Sequence, residues 1–94
     1  MHVLRIEHPV PDYEAWKRAF DSDPVGRQKS GVRTYRIQRP VDNPNYVMID
    51  LEFDSAADAE AMLGSLLELW GRVQGTIMDD PQARIAEVVE SRAY

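Results

Sequence analysis

The residues able to carry chemistry are few in this chain, and they do not form a known catalytic motif. The 94 residues include two histidines, two tryptophans and no cysteine. The lack of cysteine excludes disulfides, thiolate nucleophiles and thiolate metal sites. The sequence contains no glycine-rich phosphate loop and no Ser-His-Asp arrangement. It therefore identifies no catalytic group by itself, and any activity must come from a pocket that the fold assembles.

The two histidines stand at opposite ends of one predicted strand. His2 and His8 lie roughly 20 Å apart by the rise of an extended chain. Two side chains at that distance cannot bind one metal ion within a single subunit. We therefore predict no metal site and no cofactor.

Several carboxylates are candidates for general bases, on the condition that they are buried. These are Glu68, Asp79 and Asp80. Segment 42–45, Asp-Asn-Pro-Asn, also carries oxygen ligands, but it has too few carboxylates for a calcium loop. Its composition predicts a turn.

Aromatic residues at helical spacing offer a flat apolar wall. Trp16 and Phe20 are four residues apart, which predicts that they pack a first helix against the sheet. The alternative is that Trp16 and Tyr13 wall a pocket for a flat ligand. Arg27 and Lys29 follow this helix and could receive a carboxylate or phenolate, or they could simply be solvated.

Composition and charge limit the class of protein. Hydrophobic residues make up 44% and charged residues 29%, which is typical of one globular domain, here residues 1–94. The net charge of −5 argues against nucleic acid and anionic membranes as partners. The first ten residues do not resemble a signal peptide, and the apolar-rich stretch 56–70 is interrupted by charges. We therefore expect a cytoplasmic protein that binds neither nucleic acid nor membrane.

The hydrophobic pattern predicts six elements. Residues alternate with period two at 2–8, 32–39, 46–53 and 83–90, which predicts four strands. Apolar residues at helical spacing predict helices at about 12–21 and after Ser55, the second ending at Gly71 or Gly75. The order predicts an α+β, ferredoxin-like β-α-β-β-α-β domain with a four-stranded antiparallel sheet. Right-handed crossovers place the first and third strands in its centre.

Two helices can cover only one face of this sheet. The apolar set predicted beneath them is Leu4, Ile6, Tyr35, Ile37, Val47, Ile49, Leu51 and Phe53. The opposite face mixes apolar and charged residues, with charges that alternate in sign between neighbouring strands. Such a face is either solvated or the interface of a face-to-face dimer.

The sequence resembles small proteins of the dimeric α/β-barrel superfamily, near the antibiotic-biosynthesis-monooxygenase-like domains. The likeness covers about residues 3 to 63 well and the last third loosely. It rests on Asp12-Tyr13, Trp16-Lys17, Phe20-Asp21, Arg27, Gly31, Tyr35-Arg36, Asp42-Asn43-Pro44-Asn45, Val47 and Glu52-Phe53-Asp54. The resemblance implies a homodimer whose two sheets form a barrel, with a pocket between the helices and the sheet of each subunit.

The resemblance also nominates pocket residues. We predict that Trp16, Tyr35, Trp70 and Arg84 line the pocket, with Arg84 or Arg36 stabilising developing negative charge. Cofactor-free oxygenases of this group hold a phenolic substrate with Asn, Trp, Tyr and Arg. In this sequence Trp70 and Arg84 lie in regions that roughly match the Trp and the Arg. Haem-degrading relatives use an Asn near the first strand and a His after the Trp, and both are missing.

Two functions remain open from the sequence. The first is an enzyme that binds a small aromatic or polyketide-like molecule and carries out cofactor-free oxygenation, cyclisation or proton transfer. The second is a non-catalytic homodimer that binds a small molecule or a partner protein. Because one fold serves many activities, the fold does not choose between them.

Overall fold

Four strands and two helices follow one another in the predicted order within the residues that the computed structural model describes, 1–73 and 80–94. They are β1 (His2–Pro9), α1 (Tyr13–Asp21), β2 (Val32–Gln38), β3 (Tyr46–Phe53), α2 (Ala56–Val73) and β4 (Gln82–Glu87). Period-two alternation corresponds to one buried and one more exposed face in the two strands β1 and β3, whereas most residues of β2 and β4 are exposed.

The four strands form one antiparallel sheet with the order β2-β3-β1-β4. Leu4 of β1 lies opposite Leu51 of β3 on one side and opposite Ile85 of β4 on the other. The first and third strands are therefore central, as predicted. The α+β, ferredoxin-like fold class is confirmed.

The core lies between the helices and one face of the sheet. The central strands contribute its most buried side chains, which are Leu4, Ile6, Val47, Ile49, Leu51 and Phe53. Tyr35 and Ile37 share this face, as predicted, because they pair with Leu51 and Ile49. Tyr35 is nevertheless 48% exposed, since β2 is an edge strand.

Both helices begin at the predicted positions, and a polar side chain caps each of them. The Asp12 carboxylate accepts a hydrogen bond from the Glu14 N–H at 3.0 Å. The Ser55 hydroxyl accepts one from the Asp58 N–H at 3.2 Å. Each bond satisfies an amide that has no partner inside its helix, which is worth about 1 kcal/mol.

The second helix does not end at Gly71 but continues to Val73. Gly71 is exposed and follows Trp70, whose buried side chain anchors the last turn to the core. Packing therefore outweighs the low helix propensity of one glycine. The alternative end, Gly75, lies outside the described residues. No helix in the described ranges is long and apolar enough to cross a membrane.

The last strand ends at Glu87 rather than at residue 90. Its partner β1 begins at His2, which pairs with Glu87. One further bond follows, from the Val88 N–H to the Met1 carbonyl at 3.0 Å.

Alanine substitutions at two glycines, Gly31 and Gly64, are expected to change the free energy of unfolding in opposite directions. Gly31 has φ +102°, and a Cβ there would lie 3.0 Å from the Asp58 carboxylate, whereas a Cβ on Gly64 of α2 would meet nothing within 4 Å. We expect Gly31→Ala to lower the free energy of unfolding by about 1–3 kcal/mol. Gly64→Ala should raise it by about 0.5–1 kcal/mol, because alanine favours the helix. Urea unfolding of both variants tests this, and equal effects would contradict it.

Candidate functional site

A partly enclosed cavity of about 280 Å³ lies between the two helices and the sheet. Its lining comes from β1, β3, both helices and the loop after α1. These residues are Ile6, His8, Trp16, Ala19, Phe20, Ser22, Asp23, Pro24, Val25, Arg27, Ile49, Leu51, Met62, Leu66, Leu69 and Trp70. Most of them are apolar, so the cavity suits a ligand with an apolar body.

The chain has two tryptophans, and both line this cavity. Trp16 projects from α1 and Trp70 from the last turns of α2, and they are 5% and 6% exposed. Ile49 and Leu51 of β3 contribute to the floor. The cavity is thus bounded by two flat rings and branched aliphatic side chains, a shape that favours a planar guest.

A row of rings runs along the α1 side of the cavity. Trp16 lies with its ring centroid 5.9 Å from that of His8 and 5.2 Å from that of Phe20, and Phe20 lies 5.1 Å from Tyr35. These separations are those of favourable edge-to-face and tilted ring contacts. The i, i+4 spacing of Trp16 and Phe20 places them on one helical face, so they both pack α1 and wall the cavity.

One arginine borders the cavity. The Arg27 guanidinium lies 3.9 Å from the Phe20 ring centroid, and its Nη1 donates to the Phe20 carbonyl at 2.8 Å. The same Nη1 lies 3.5 Å from an Asp23 carboxylate oxygen. Stacking, hydrogen bonding and ion pairing hold this cation in place.

The loop after α1 is shaped to hold that arginine. Asp23 has φ +51° and Gly26 has φ +76°, which is the left-handed region. The Asp23 carboxylate accepts from the Arg27 N–H at 2.9 Å, closing the turn between them. The backbone therefore bends back so that Arg27 returns to the end of the helix that precedes it.

His8 is the buried polar side chain of the cavity, with 1% of its surface exposed. Its Nδ1 lies 3.0 Å from the Pro9 carbonyl oxygen. Since a carbonyl can only accept, this bond places the proton of the neutral ring on Nδ1.

The opposite, helix-free face of the sheet is called the open face below. The Arg5 Nε donates to Asp50 at 2.8 Å, which is the predicted kind of cross-strand pair. The Tyr46 hydroxyl donates to Glu7 at 2.8 Å. That hydrogen bond to a carboxylate raises the pKa of Tyr46 above its usual range.

The predicted pocket residues fall into three places. Trp16 and Trp70 line the cavity, while Tyr35 stands behind Phe20 at the sheet edge. Arg36 and Arg84 lie on the open face, where Arg36 pairs with Asp50 and Arg84 with Arg5 in the strand register. Neighbouring residues of a strand point to opposite faces of the sheet. Arg36 and Arg84 each stand next to a residue on the helix side, so both point to the open face.

Two other lining residues, Arg27 and His8, have weaker signals in the sequence. Of the two cations that follow the first helix, Arg27 lines the cavity and Lys29 is exposed. The position of His8 at the end of a strand excludes a shared metal site with His2 but does not by itself predict a cavity. The alternation of β1 does indicate that His8 is buried, because it follows Leu4 and Ile6 at steps of two on the buried face of the strand.

The remaining candidates that the structure describes are exposed or lie in a turn, and they do not form a second site. Glu68 is exposed and pairs with Arg72 at 3.3 Å, and Asp80 is also exposed. Asp79 lies outside the described residues. Segment 42–45 forms a turn, in which the Asn45 N–H donates to the Asn43 side chain at 3.1 Å.

Known structures share this architecture over nearly the whole chain. A protein from Nitrosomonas europaea, named provisionally as an antibiotic biosynthesis monooxygenase, superposes with a TM-score of 0.71 at 19% identity, covering 96% of this chain and 100% of the other. A dimeric ferredoxin-like protein from an uncultured marine organism has a TM-score of 0.67 at 15% identity, with 97% of each chain covered. This chain has their fold.

A third similar structure carries a ligand. It is a MhuD mutant with two manganese protoporphyrin IX bound per active site, with a TM-score of 0.70 at 14% identity and all of both chains covered. No protein-family model matches the sequence, and neither does any curated protein. The resemblance inferred from the sequence is confirmed at the level of the fold.

Proposed function

We propose that this protein binds a small planar aromatic molecule carrying a negative or hydroxyl group in the cavity between helices and sheet. The observation that carries the proposal is that both tryptophans wall one partly enclosed apolar cavity. Burial of an apolar ring there is favourable at about 25 cal/mol per Å² of surface removed from water.

The size and polarity of the cavity define the ligand class. Its 280 Å³ is close to the lower end of the roughly 300–1,000 Å³ typical of ligand pockets. One or two fused rings suit this volume better than a macrocycle such as a porphyrin. The sequence also has no histidine after Trp70, so haem is not the ligand proposed here.

Arg27 supports a negative group on the ligand. The Arg27 side chain is only 18% exposed, and its guanidinium is held in place by Phe20 and Asp23. A guanidinium has five N–H donors, and the contacts of the Arg27 side chain to the Phe20 carbonyl and the Asp23 carboxylate both use Nη1. The other donors suit a carboxylate or phenolate at the cavity edge.

The enzyme hypothesis takes the same ligand as a substrate. Oxygenation is supported by the name of a similar structure, a monooxygenase of antibiotic biosynthesis, and a buried histidine lines the same cavity. A binding protein without turnover is supported by the lack of an Asn, Trp, Tyr and Arg set around the described lining. Product analysis after incubation of a bound phenol with oxygen separates these two.

The open face supports a homodimer. It carries three cations, Arg5, Arg36 and Arg84, and three anions, Glu7, Asp50 and Glu52. This face is neutral in a chain of net charge −5, so two copies can meet there without net repulsion. The half-buried Met48 adds apolar surface, and one of the similar structures is described as dimeric.

Blocking the cavity tests the proposed function. Ala19 is exposed on α1 and lines the cavity, so Ala19→Phe should fill it without disturbing the core. We expect wild type to bind 2-naphthoate and Ala19→Phe to bind it about tenfold or more weakly, as measured by calorimetry. Ala61→Phe, on an exposed position of α2 that is not part of the lining, is the matched control. Absence of binding to wild type, or equal binding by both variants, would refute the proposal.

A further inference from the structure

We infer that Asp23 determines which polar group of the ligand the cavity prefers. The preferred group is neutral and has a hydrogen-bond donor beside an acceptor, as a carboxamide or a hydroxyl does. This inference rests on the proposed function and specifies its ligand class. Arg27 alone suits a negative group, whereas Arg27 with Asp23 beside it favours the neutral one.

The positions of the two side chains support this role. Asp23 and Arg27 both line the cavity, where the loop after α1 forms its edge. The Asp23 Oδ1 lies 3.5 Å from the Arg27 Nη1, and the Asp23 side chain is 36% exposed. A ligand group that reaches the guanidinium therefore lies next to the carboxylate as well.

Both side chains have hydrogen-bonding capacity left for a ligand. The Arg27 N–H donates to the Asp23 Oδ1 at 2.9 Å, and the contact from Nη1 goes to the same oxygen. Within the described residues, no hydrogen bond involves the Asp23 Oδ2 or the Nε and Nη2 atoms of Arg27. A carboxylate oxygen accepts and a guanidinium donates. The ligand group that complements this pair must therefore donate to one and accept from the other.

Charge favours the same kind of group. The Asp23 carboxylate offsets the charge of Arg27, so the pair is formally neutral. A ligand carboxylate bound to Arg27 would gain an ion pair, but it would also lie beside a like charge. It would lose more hydration than an amide on leaving water. A neutral donor–acceptor group avoids both costs.

The turn itself allows a substitution that changes only this chemistry. Asp23 has φ +51°, a left-handed conformation that Asp and Asn adopt more readily than most side chains. Asparagine can also accept the bond from the Arg27 N–H through its amide oxygen. Asp23→Asn therefore preserves the turn while it replaces a negative acceptor by a neutral donor.

The test compares 2-naphthamide with 2-naphthoate, which share one ring system and differ in the polar group. Wild type should bind the amide about tenfold or more tightly, because the amide N–H donates to Asp23 and the carboxylate has no donor. Calorimetry near neutral pH measures both dissociation constants.

Three variants assign the preference to its cause. Asp23→Asn should reverse it, because the new side chain donates and carries no charge. Arg27→Gln should enlarge it, because the naphthoate then loses its cation while the amide keeps Asp23. Asp21→Asn removes the same charge from an exposed residue of α1 that is not part of the lining, and it should keep the wild-type ratio.

Each outcome decides the inference. A preference for the amide that persists in Asp23→Asn overturns the role of Asp23, as does wild type that binds the naphthoate as tightly as the amide. An equal change of the ratio in Asp21→Asn also overturns it, because a general charge effect then replaces the contact. If wild type binds the naphthoate but not the amide, the cavity remains a binding site and the role of Asp23 fails alone. If neither compound binds, the proposed function fails as well.

Discussion

Replacing Trp16 by alanine is expected to lower the free energy of unfolding by about 3–5 kcal/mol and to abolish ligand binding. Trp16 is 5% exposed and contacts the rings of His8, Tyr13 and Phe20. Its removal leaves a void beside an existing cavity and takes away three ring contacts at once. Chemical denaturation and calorimetry with 2-naphthoate measure the two effects.

A milder change at the same position serves as the control. Trp16→Phe keeps a ring on α1 and should cost about 1–2 kcal/mol, with weakened but measurable ligand binding. Tyr94→Ala, at a fully exposed aromatic residue, should leave both quantities unchanged. Should Trp16→Ala remain as stable as wild type, the aromatic row would not support α1 as described.

Reversing the charge of Asp50 is expected to raise the dissociation constant of the proposed homodimer about a hundredfold or more. Asp50 lies between Arg5 and Arg36 in the strand register, and Arg84 lies beyond Arg5. Asp50→Arg would therefore make one row of four cations across the open face. Like charges brought together in an interface cost several kcal/mol. Sedimentation velocity across a concentration series measures the effect.

The control changes the same charge elsewhere. Asp21 is exposed and pairs with Lys17 on α1 at 2.6 Å, away from the open face. Asp21→Arg also removes one surface ion pair, which is worth about 0–1 kcal/mol, and it should leave the dimer intact. A protein that is monomeric at micromolar concentration, or an Asp50→Arg dimer as tight as wild type, would show that the open face is not the interface.

The sequence predicted the strands and the sheet order well because their signal is local. In β3, Val47, Ile49, Leu51 and Phe53 are buried and alternate with more exposed residues, so one period defined both the strand and its inner face. Helix starts were equally accessible, since Asp12 and Ser55 each satisfy an amide next to them in sequence.

The site was harder to predict because it depends on where loops go. Arg27 reaches the cavity because the backbone bends at Asp23 and Gly26, which both have left-handed conformations. A left-handed aspartate such as Asp23 cannot be recognised from its residue type. For Arg36, the strand period indicated the open face, whereas the resemblance suggested a pocket role. The structure follows the period, so local geometry was the better guide there.

The exposed glycines of α2 weaken the helix that forms one wall of the cavity. A Cβ on Gly64 or Gly71 would meet nothing within 4 Å, so packing does not require either glycine. Each weakens the helix by about 1 kcal/mol relative to alanine. The cavity wall that holds Met62, Leu66 and Trp70 is thus a helix kept in place by its inner face. Partial opening of that wall would set the rates of ligand entry and release, separately from affinity.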